Sequence, residues 1–152
     1  MNLADLNRWL ESKNRPTDQL FNVLPARLPG YRLAWNYWSK SRQGGAANVE
    51  KCPDNEVLGA ILEVGPDLLK AIDAKEGHPS RYSREPHPIE CFELETGSPQ
   101  LAWVYEVTEK FRCEEDKLPT LSYLESVVEG AKALGLPADY VQKLKSVLPS
   151  EP

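Results

Sequence analysis

The order of strand-like and helix-like segments predicts an α+β domain around a mainly antiparallel or mixed sheet. The most apolar segment, residues 57–64, is typical of a central strand buried on both faces. Two further strands are predicted within residues 82–94 and at 101–108, with a hairpin loop at 95–99. Amphipathic helices gather after Pro119. Strands that come first and helices that come late are typical of α+β domains.

Shorter segments fill the region before the central strand. The predicted order is an extended stretch at 20–28, a turn at 29–30, a strand at 31–35, a polar loop at 36–45, a short strand at 46–49 and a turn at 53–55.

Four helices are predicted from apolar residues spaced three or four apart. The first begins close to residue 1, the second opens at Pro66, the third follows Pro119 and the fourth follows Pro137. Their predicted inner residues are Leu3, Leu6, Trp9 and Leu10; Leu68, Leu69 and Ile72; Leu121, Leu124, Val127, Val128 and Ala131; and Tyr140, Val141, Leu144 and Val147.

Composition narrows the classes of function. The 152 residues favour a single domain over residues 1–152. The net charge is −5 and no Lys/Arg block is present, so we expect neither a nucleic-acid partner nor an anionic membrane. Three widely spaced cysteines indicate a reducing compartment, the cytosol, and the two histidines complete no zinc pattern. The N-terminus predicts neither a signal peptide nor a membrane span, and no cofactor is implied.

Two carboxylates, Asp73 and Glu76, lie at the C-terminal end of the second predicted helix. The helix dipole disfavours an anion there by a few tenths of a kcal/mol up to about 1 kcal/mol. A carboxylate destabilised in this way and placed in a cleft suits proton transfer. A solvated acidic helix end is the alternative. We expect Asp73 to have a structural role, capping or pairing with backbone, and His78 to lie exposed on a loop.

An ordered series of motifs resembles γ-glutamylcyclotransferase-like proteins along nearly the whole chain. Residues 44–49 and 56–61 resemble their G-x-A-N-I and V-x-G stretches, and residues 72–77 are similar to their L-D-x-x-E-G motif. The remaining matches are Y-x-R at 82–84, A-x-x-Y at 102–105, and a tail with P-x-x-x-Y at 119–123, G-A at 130–131 and G-L-P at 135–137. Each match is weak alone, and the order makes the set specific.

The resemblance implies a compact, barrel-like α+β fold and an enzyme that releases 5-oxoproline from γ-glutamyl compounds. It implies that Glu76 is the general acid/base and that Tyr123 helps to bind the substrate. Tyr82 and Tyr105 fall in predicted strands, where aromatic residues usually serve packing, so we expect no functional role for them. The departing amine stays open: an amino acid, glutathione, γ-glutamyl-ε-lysine and a secondary metabolite all fit.

The Y-G-S-N loop that binds the glutamyl group in this family does not occur in the sequence. Met1 and Asn2 align with the positions after that loop, and we expect them to be remnants of the substrate-binding segment. An internal start codon, a shortened inactive protein and a rebuilt N-terminus all fit. The alternative function is an inactive homologue that binds a small ligand or a protein partner. A missing first strand also predicts an unpaired edge, an apolar groove and a homodimer.

Overall fold

Four helices and six strands make up the described part of the chain, which is residues 2–15 and 17–149 of a computed structural model. The helices are α1 (Leu3–Ser12), α2 (Pro66–Glu76), α3 (Leu121–Ala133) and α4 (Ala138–Lys145). The strands are β1 (Leu20–Ser39), β2 (Gly44–Val64), β3 (Tyr82–Ser83), β4 (Ile89–Glu93), β5 (Pro99–Ala102) and β6 (Glu106–Val107).

The sheet is antiparallel in every strand pair described. Four strands follow the order β2-β1-β4-β5, and β3 pairs separately with β6. The predicted hairpin loop at 95–99 lies between the paired strands β4 and β5 as expected. The α+β class is therefore confirmed.

The long hairpin of β1 and β2 corrects three sequence-based predictions. The predicted turns at 29–30 and 53–55 and the predicted loop at 36–45 lie largely inside these two strands. Residues 36–39 are extended because the far edge of β1 also pairs with the 112–117 segment. Cys113 N–H donates to the Asn36 carbonyl at 2.7 Å, and Lys117 N–H donates to the Trp35 carbonyl at 3.1 Å.

Three register breaks interrupt this hairpin, one at Phe21 near the start of β1 and two that bend its interior. At the first interior break, Gly30 of β1 lies opposite four residues of β2, 52–55. Gly30 has φ of 77°, a left-handed value that glycine adopts without steric cost. At the second interior break, Trp35 and Asn36 lie opposite Ala47 alone, which is a β-bulge. The turn-like sequences thus mark bends within strands and not their ends.

The segment 57–64 is an edge strand and not a central one. It belongs to β2, which ends the four-stranded sheet, and most of its residues are half-buried. Its apolar character has a different origin from the one predicted. Nearly all of these residues line a cavity, which replaces the second layer that a central strand would contact.

The helices cover the hairpin in two groups. Leu6 and Leu10 of α1 pack against Leu68, Ala71 and Ile72 of α2. Helices α3 and α4 bury their apolar stripes against Trp35 of β1. The predicted inner faces are mostly correct, although Leu121 is 55% exposed because it is the first residue of α3.

Candidate active site

Glu76 is the last residue of α2, and the chain turns sharply after it. Gly77 adopts φ of 74°, and the N–H groups of Gly77 and His78 both donate to the Asp73 carbonyl at 2.9 Å. This glycine-terminated turn is the usual C-terminal cap of a helix. The Glu76 side chain is 21% exposed, and its Oε1 lies 3.4 Å from the Lys75 ammonium. The carboxylate is therefore sheltered but retains access to one space beside it.

That space is a partly open cavity of about 1350 Å³, lined mainly by the β1–β2 hairpin and by residues from the four helices and from 101–105. Asn2, Glu76 and Tyr123 all line it, so three of the four predicted site residues share one cavity. Met1, the fourth, lies outside the described residues. Most of the wall is apolar, and the volume is enough for a small-molecule ligand.

The β-bulge at Ala47 places two tyrosine hydroxyls at the cavity. Tyr82 donates its hydroxyl hydrogen to the Ala47 carbonyl at 2.8 Å, and the Ala47 N–H donates to the Tyr123 oxygen at 3.3 Å. The bulge interrupts the strand ladder here, and the tyrosines satisfy the backbone groups that it releases. Tyr123 therefore keeps its O–H free to donate, and Tyr82 keeps its oxygen free to accept.

Both phenols remain protonated at neutral pH. Burial raises the pKa of Tyr123, while the Ala47 N–H and the Arg42 charge oppose that rise. Burial also raises the pKa of Tyr82 well above its ordinary value. The negative charge of Glu76 raises both pKa values further, and all three side chains line the cavity. Sequence reasoning assigned Tyr82 to packing alone and missed this hydrogen bond, because its partner lies 35 residues away.

Asp73 anchors the end of α2 through side chains. Arg84 binds its carboxylate with both Nε and a terminal nitrogen, at 2.8 and 3.0 Å, and the Tyr105 hydroxyl donates to it at 2.5 Å. The Arg84 guanidinium, helped by Tyr105 and opposed by burial, holds the pKa of Asp73 below its ordinary value. The expected structural role is consistent with this geometry, although the main partners are side chains. Arg84 also stacks over Trp103, 4.8 Å from the ring centroid.

His78 is not the exposed loop residue that the sequence suggested. Its side chain is 11% exposed and lies edge-on to Tyr105, with ring centroids 6.3 Å apart. The sharp turn at Gly77 folds the imidazole back towards α2, which explains its burial. Nε2 lies 3.8 Å from the Glu85 carboxylate, and buried Nδ1 has no hydrogen-bond partner within the described residues.

Charged side chains on the cavity wall are mostly cationic, although the whole chain has a net charge of −5. Within the described ranges, the cationic ones are Arg27, Lys40, Arg42, Lys75 and Arg81, and the carboxylates are Asp5 and Glu76. An anionic ligand therefore meets a favourable field there.

Within residues 2–15 and 17–149, no group of three or more His, Cys, Asp or Glu side chains is placed to hold a metal ion. No helix in these ranges has the length and hydropathy needed to cross a membrane.

Residues 56–144 match the model of the AIG2-like family. This chain belongs to that family. The matched segment is more than half of the chain and contains Glu76, Tyr82 and Tyr123.

Relatives and solved structures agree with this assignment. The chain is 29% identical over 131 residues to a γ-glutamylcyclotransferase of Bos taurus and 26% identical over 130 residues to that of Homo sapiens. Each alignment covers 83% of this chain and 66% of the relative, so the chain spans just under two thirds of these proteins. A solved structure described as a γ-glutamyl cyclotransferase superposes with a TM-score of 0.76 at 26% identity, covering 91% of this chain and 79% of the other. The predicted family resemblance is confirmed.

Proposed function

We propose that this chain is a γ-glutamylcyclotransferase that releases 5-oxoproline from a γ-glutamyl amine or amino acid, with Glu76 as general acid and base. The observation that carries the proposal is the sheltered Glu76 carboxylate at the wall of a ligand-sized cavity that two protonated tyrosines also line. The naming of the relatives as γ-glutamylcyclotransferases supports the same reaction.

The chemistry requires one proton carrier. Glu76 takes a proton from the α-ammonium of the glutamyl group, and the freed nitrogen attacks the side-chain carbonyl carbon. The five-membered ring closes, Glu76 gives its proton to the departing nitrogen, and the bond from the carbonyl carbon to that nitrogen breaks. Glu76 then takes the second proton that the ring nitrogen must lose and passes it to the departed amine, which leaves as an ammonium ion. Because attack is intramolecular, the protein contributes chiefly by holding the reactive geometry.

The Tyr123 hydroxyl is suited to stabilise the negative charge that develops on the carbonyl oxygen of the substrate during attack. Its oxygen accepts from the Ala47 N–H, so its own hydrogen is directed elsewhere. In this proposal that hydrogen is donated to the carbonyl oxygen as it becomes an oxyanion, an interaction that strengthens in the transition state. Asn2 contributes to substrate binding at the same cavity, and its side-chain oxygen also accepts the N–H of Asp5 to cap α1.

The first test is 5-oxoproline release from γ-glutamylalanine, measured by mass spectrometry. Glu76→Gln removes the proton carrier and keeps the shape, so we expect turnover to fall about 10²–10⁴-fold. Glu63→Gln is the matched control, since Glu63 lies exposed on β2 outside the cavity wall and its change should leave turnover intact. Wild-type turnover in the Glu76→Gln protein would refute the role of Glu76. No product from the wild-type protein would favour an inactive binding homologue.

A further inference from the structure

Arg42 occupies an unusual position for an exposed arginine. It lies in the short connection between β1 and β2, and its guanidinium carbon is 4.3 Å from the centroid of the Tyr123 ring. Tyr123 itself is packed edge-on against Trp35, with ring centroids 5.9 Å apart. The aromatic face therefore attracts the guanidinium and holds it at the cavity wall.

The connection that carries Arg42 is held by several hydrogen bonds. Gln43 N–H donates to the Ser39 carbonyl at 2.8 Å, and Arg42 N–H donates to the Ser39 hydroxyl at 3.4 Å. Beyond it, Gly45 N–H donates to the Leu118 carbonyl at 2.9 Å. Because Ser39 is buried, the loop has a firm base, and Arg42 is presented at a defined place.

No carboxylate in the described part of the chain forms an ion pair with Arg42. Its edge donors are consequently available, and a planar guanidinium binds a carboxylate through two parallel hydrogen bonds. Arg42, Tyr123 and Glu76 all line the same cavity, so a ligand held by Tyr123 and Glu76 lies in the space that the guanidinium also faces.

We propose that Arg42 is a specificity-determining residue that binds a carboxylate on the departing amine, so that the preferred substrates are γ-glutamyl compounds whose amine is itself an acid. The proposal rests on the cyclotransferase function proposed above, since the glutamyl group must lie at Glu76 and Tyr123. The departing amine then extends from Glu76 towards the β1–β2 connection, and the stacked guanidinium meets its carboxylate there. A neutral amine would leave those donors unpaired, which disfavours it.

The test compares γ-glutamylalanine with γ-glutamylalaninamide, which has the same shape and lacks the charge. We expect the wild-type protein to favour the acid by about tenfold or more in kcat/KM, as one charge-assisted hydrogen-bonded pair provides. Arg42→Gln should remove most of this preference, so that the ratio of the two kcat/KM values falls towards one whatever the absolute rates. Arg42→Lys should retain part of the preference for the acid, because lysine keeps the positive charge but lacks the two parallel donors of the guanidinium. Lys132→Gln, an equal charge change on the exposed side of α3, should keep the full preference.

A binding measurement separates this proposal from the activity. In the Glu76→Gln protein, calorimetry with the same two compounds should show the same preference for the acid and its loss when Arg42→Gln is added. If the wild-type protein makes no 5-oxoproline but this binding preference is found, the reaction is wrong and the role of Arg42 stands. Equal use or binding of the two compounds overturns the proposal. An unchanged preference in Arg42→Gln also overturns it. A loss of thermal stability in Arg42→Gln with the preference unchanged would show that Arg42 serves only to pack on Tyr123.

Discussion

Replacing Asp73 by Asn tests the contact that fixes the end of α2. The carboxylate accepts two hydrogen bonds from Arg84 and one from Tyr105, and the Asp73 and Arg84 side chains are 19% and 16% exposed. Breaking a fully buried ion pair by removing one partner costs about 3–5 kcal/mol. Because both side chains keep some contact with water, we expect a loss of about 2–4 kcal/mol in the free energy of unfolding at pH 7. For urea slopes typical of small proteins, the unfolding midpoint should fall by about 1–2 M.

The stability lost in Asp73→Asn should also depend on pH. The folded pKa of Asp73 is held below its unfolded value, chiefly by Arg84. Its contribution to stability is therefore complete above the unfolded pKa of about 3.9 and is lost as pH falls through the lower, folded pKa. The difference between the wild-type and Asp73→Asn proteins should stay constant from pH 7 to pH 5 and should narrow below about pH 4.

Urea unfolding followed by tryptophan fluorescence at several pH values measures both quantities. Asp54→Asn is the matched control, because Asp54 is exposed in the register break of β2 and should change stability by less than about 0.5 kcal/mol. If Asp73→Asn also changes stability by less than that, the bond to Arg84 does not stabilise the fold. A difference that persists unchanged at pH 3 would show that carboxylate charge is not its source.

Two further variants test the turn after Glu76 and the cavity hydroxyl. Gly77→Ala should destabilise the protein by about 1–2 kcal/mol, because φ is 74° and a Cβ there would overlap the Arg81 guanidinium. Gly97→Ala is the control, since Gly97 has a similar φ of 70° but open space around it, and its melting temperature should fall less. An equal fall in both variants would exclude the Arg81 contact as a cause. Tyr123→Phe should lower kcat/KM for 5-oxoproline release about ten- to hundredfold. Tyr31→Phe, a buried tyrosine outside the cavity wall, should keep its rate, and equal losses in both would point to a general packing effect.

Local patterns predicted the helices well and the long strands poorly. Helical periodicity reports which face is buried, and the inner residues of α2, α3 and α4 followed from it. Pro29 and Gly30 have a turn-like sequence, yet the chain stays extended through them because four residues of β2 bulge opposite Gly30. The pairing partner decides this, and it lies more than twenty residues away.

The residues of the candidate site were likewise predicted only in part. Glu76 was predicted as a site residue because it matches the L-D-x-x-E-G motif, and Tyr123 because it matches the tail motif. Both line one cavity in the structure. Arg42 and Tyr82 could not be found locally, since each depends on a partner distant in the chain: the Tyr123 ring for Arg42 and the Ala47 carbonyl for Tyr82. The polar residues Asn36 and Asn48 were likewise predicted as loop or strand without a role. They form a buried hydrogen bond of 2.9 Å, and Asn48 accepts the Val107 N–H at 2.8 Å.

The contour length of the hairpin makes its two bends a geometric necessity. A twenty-residue strand such as β1 would reach about 66 Å if it were straight, whereas a domain of this size has a radius of gyration of about 15 Å. Two straight strands would project far beyond the body of the protein and enclose nothing. The breaks at Gly30 and Ala47 shorten the straight runs enough for the ribbon to curl around its own apolar face. The internal space beside Glu76 is thus set by where the ribbon curls, and a shift of either break by a few positions would reshape it without altering any residue on its wall.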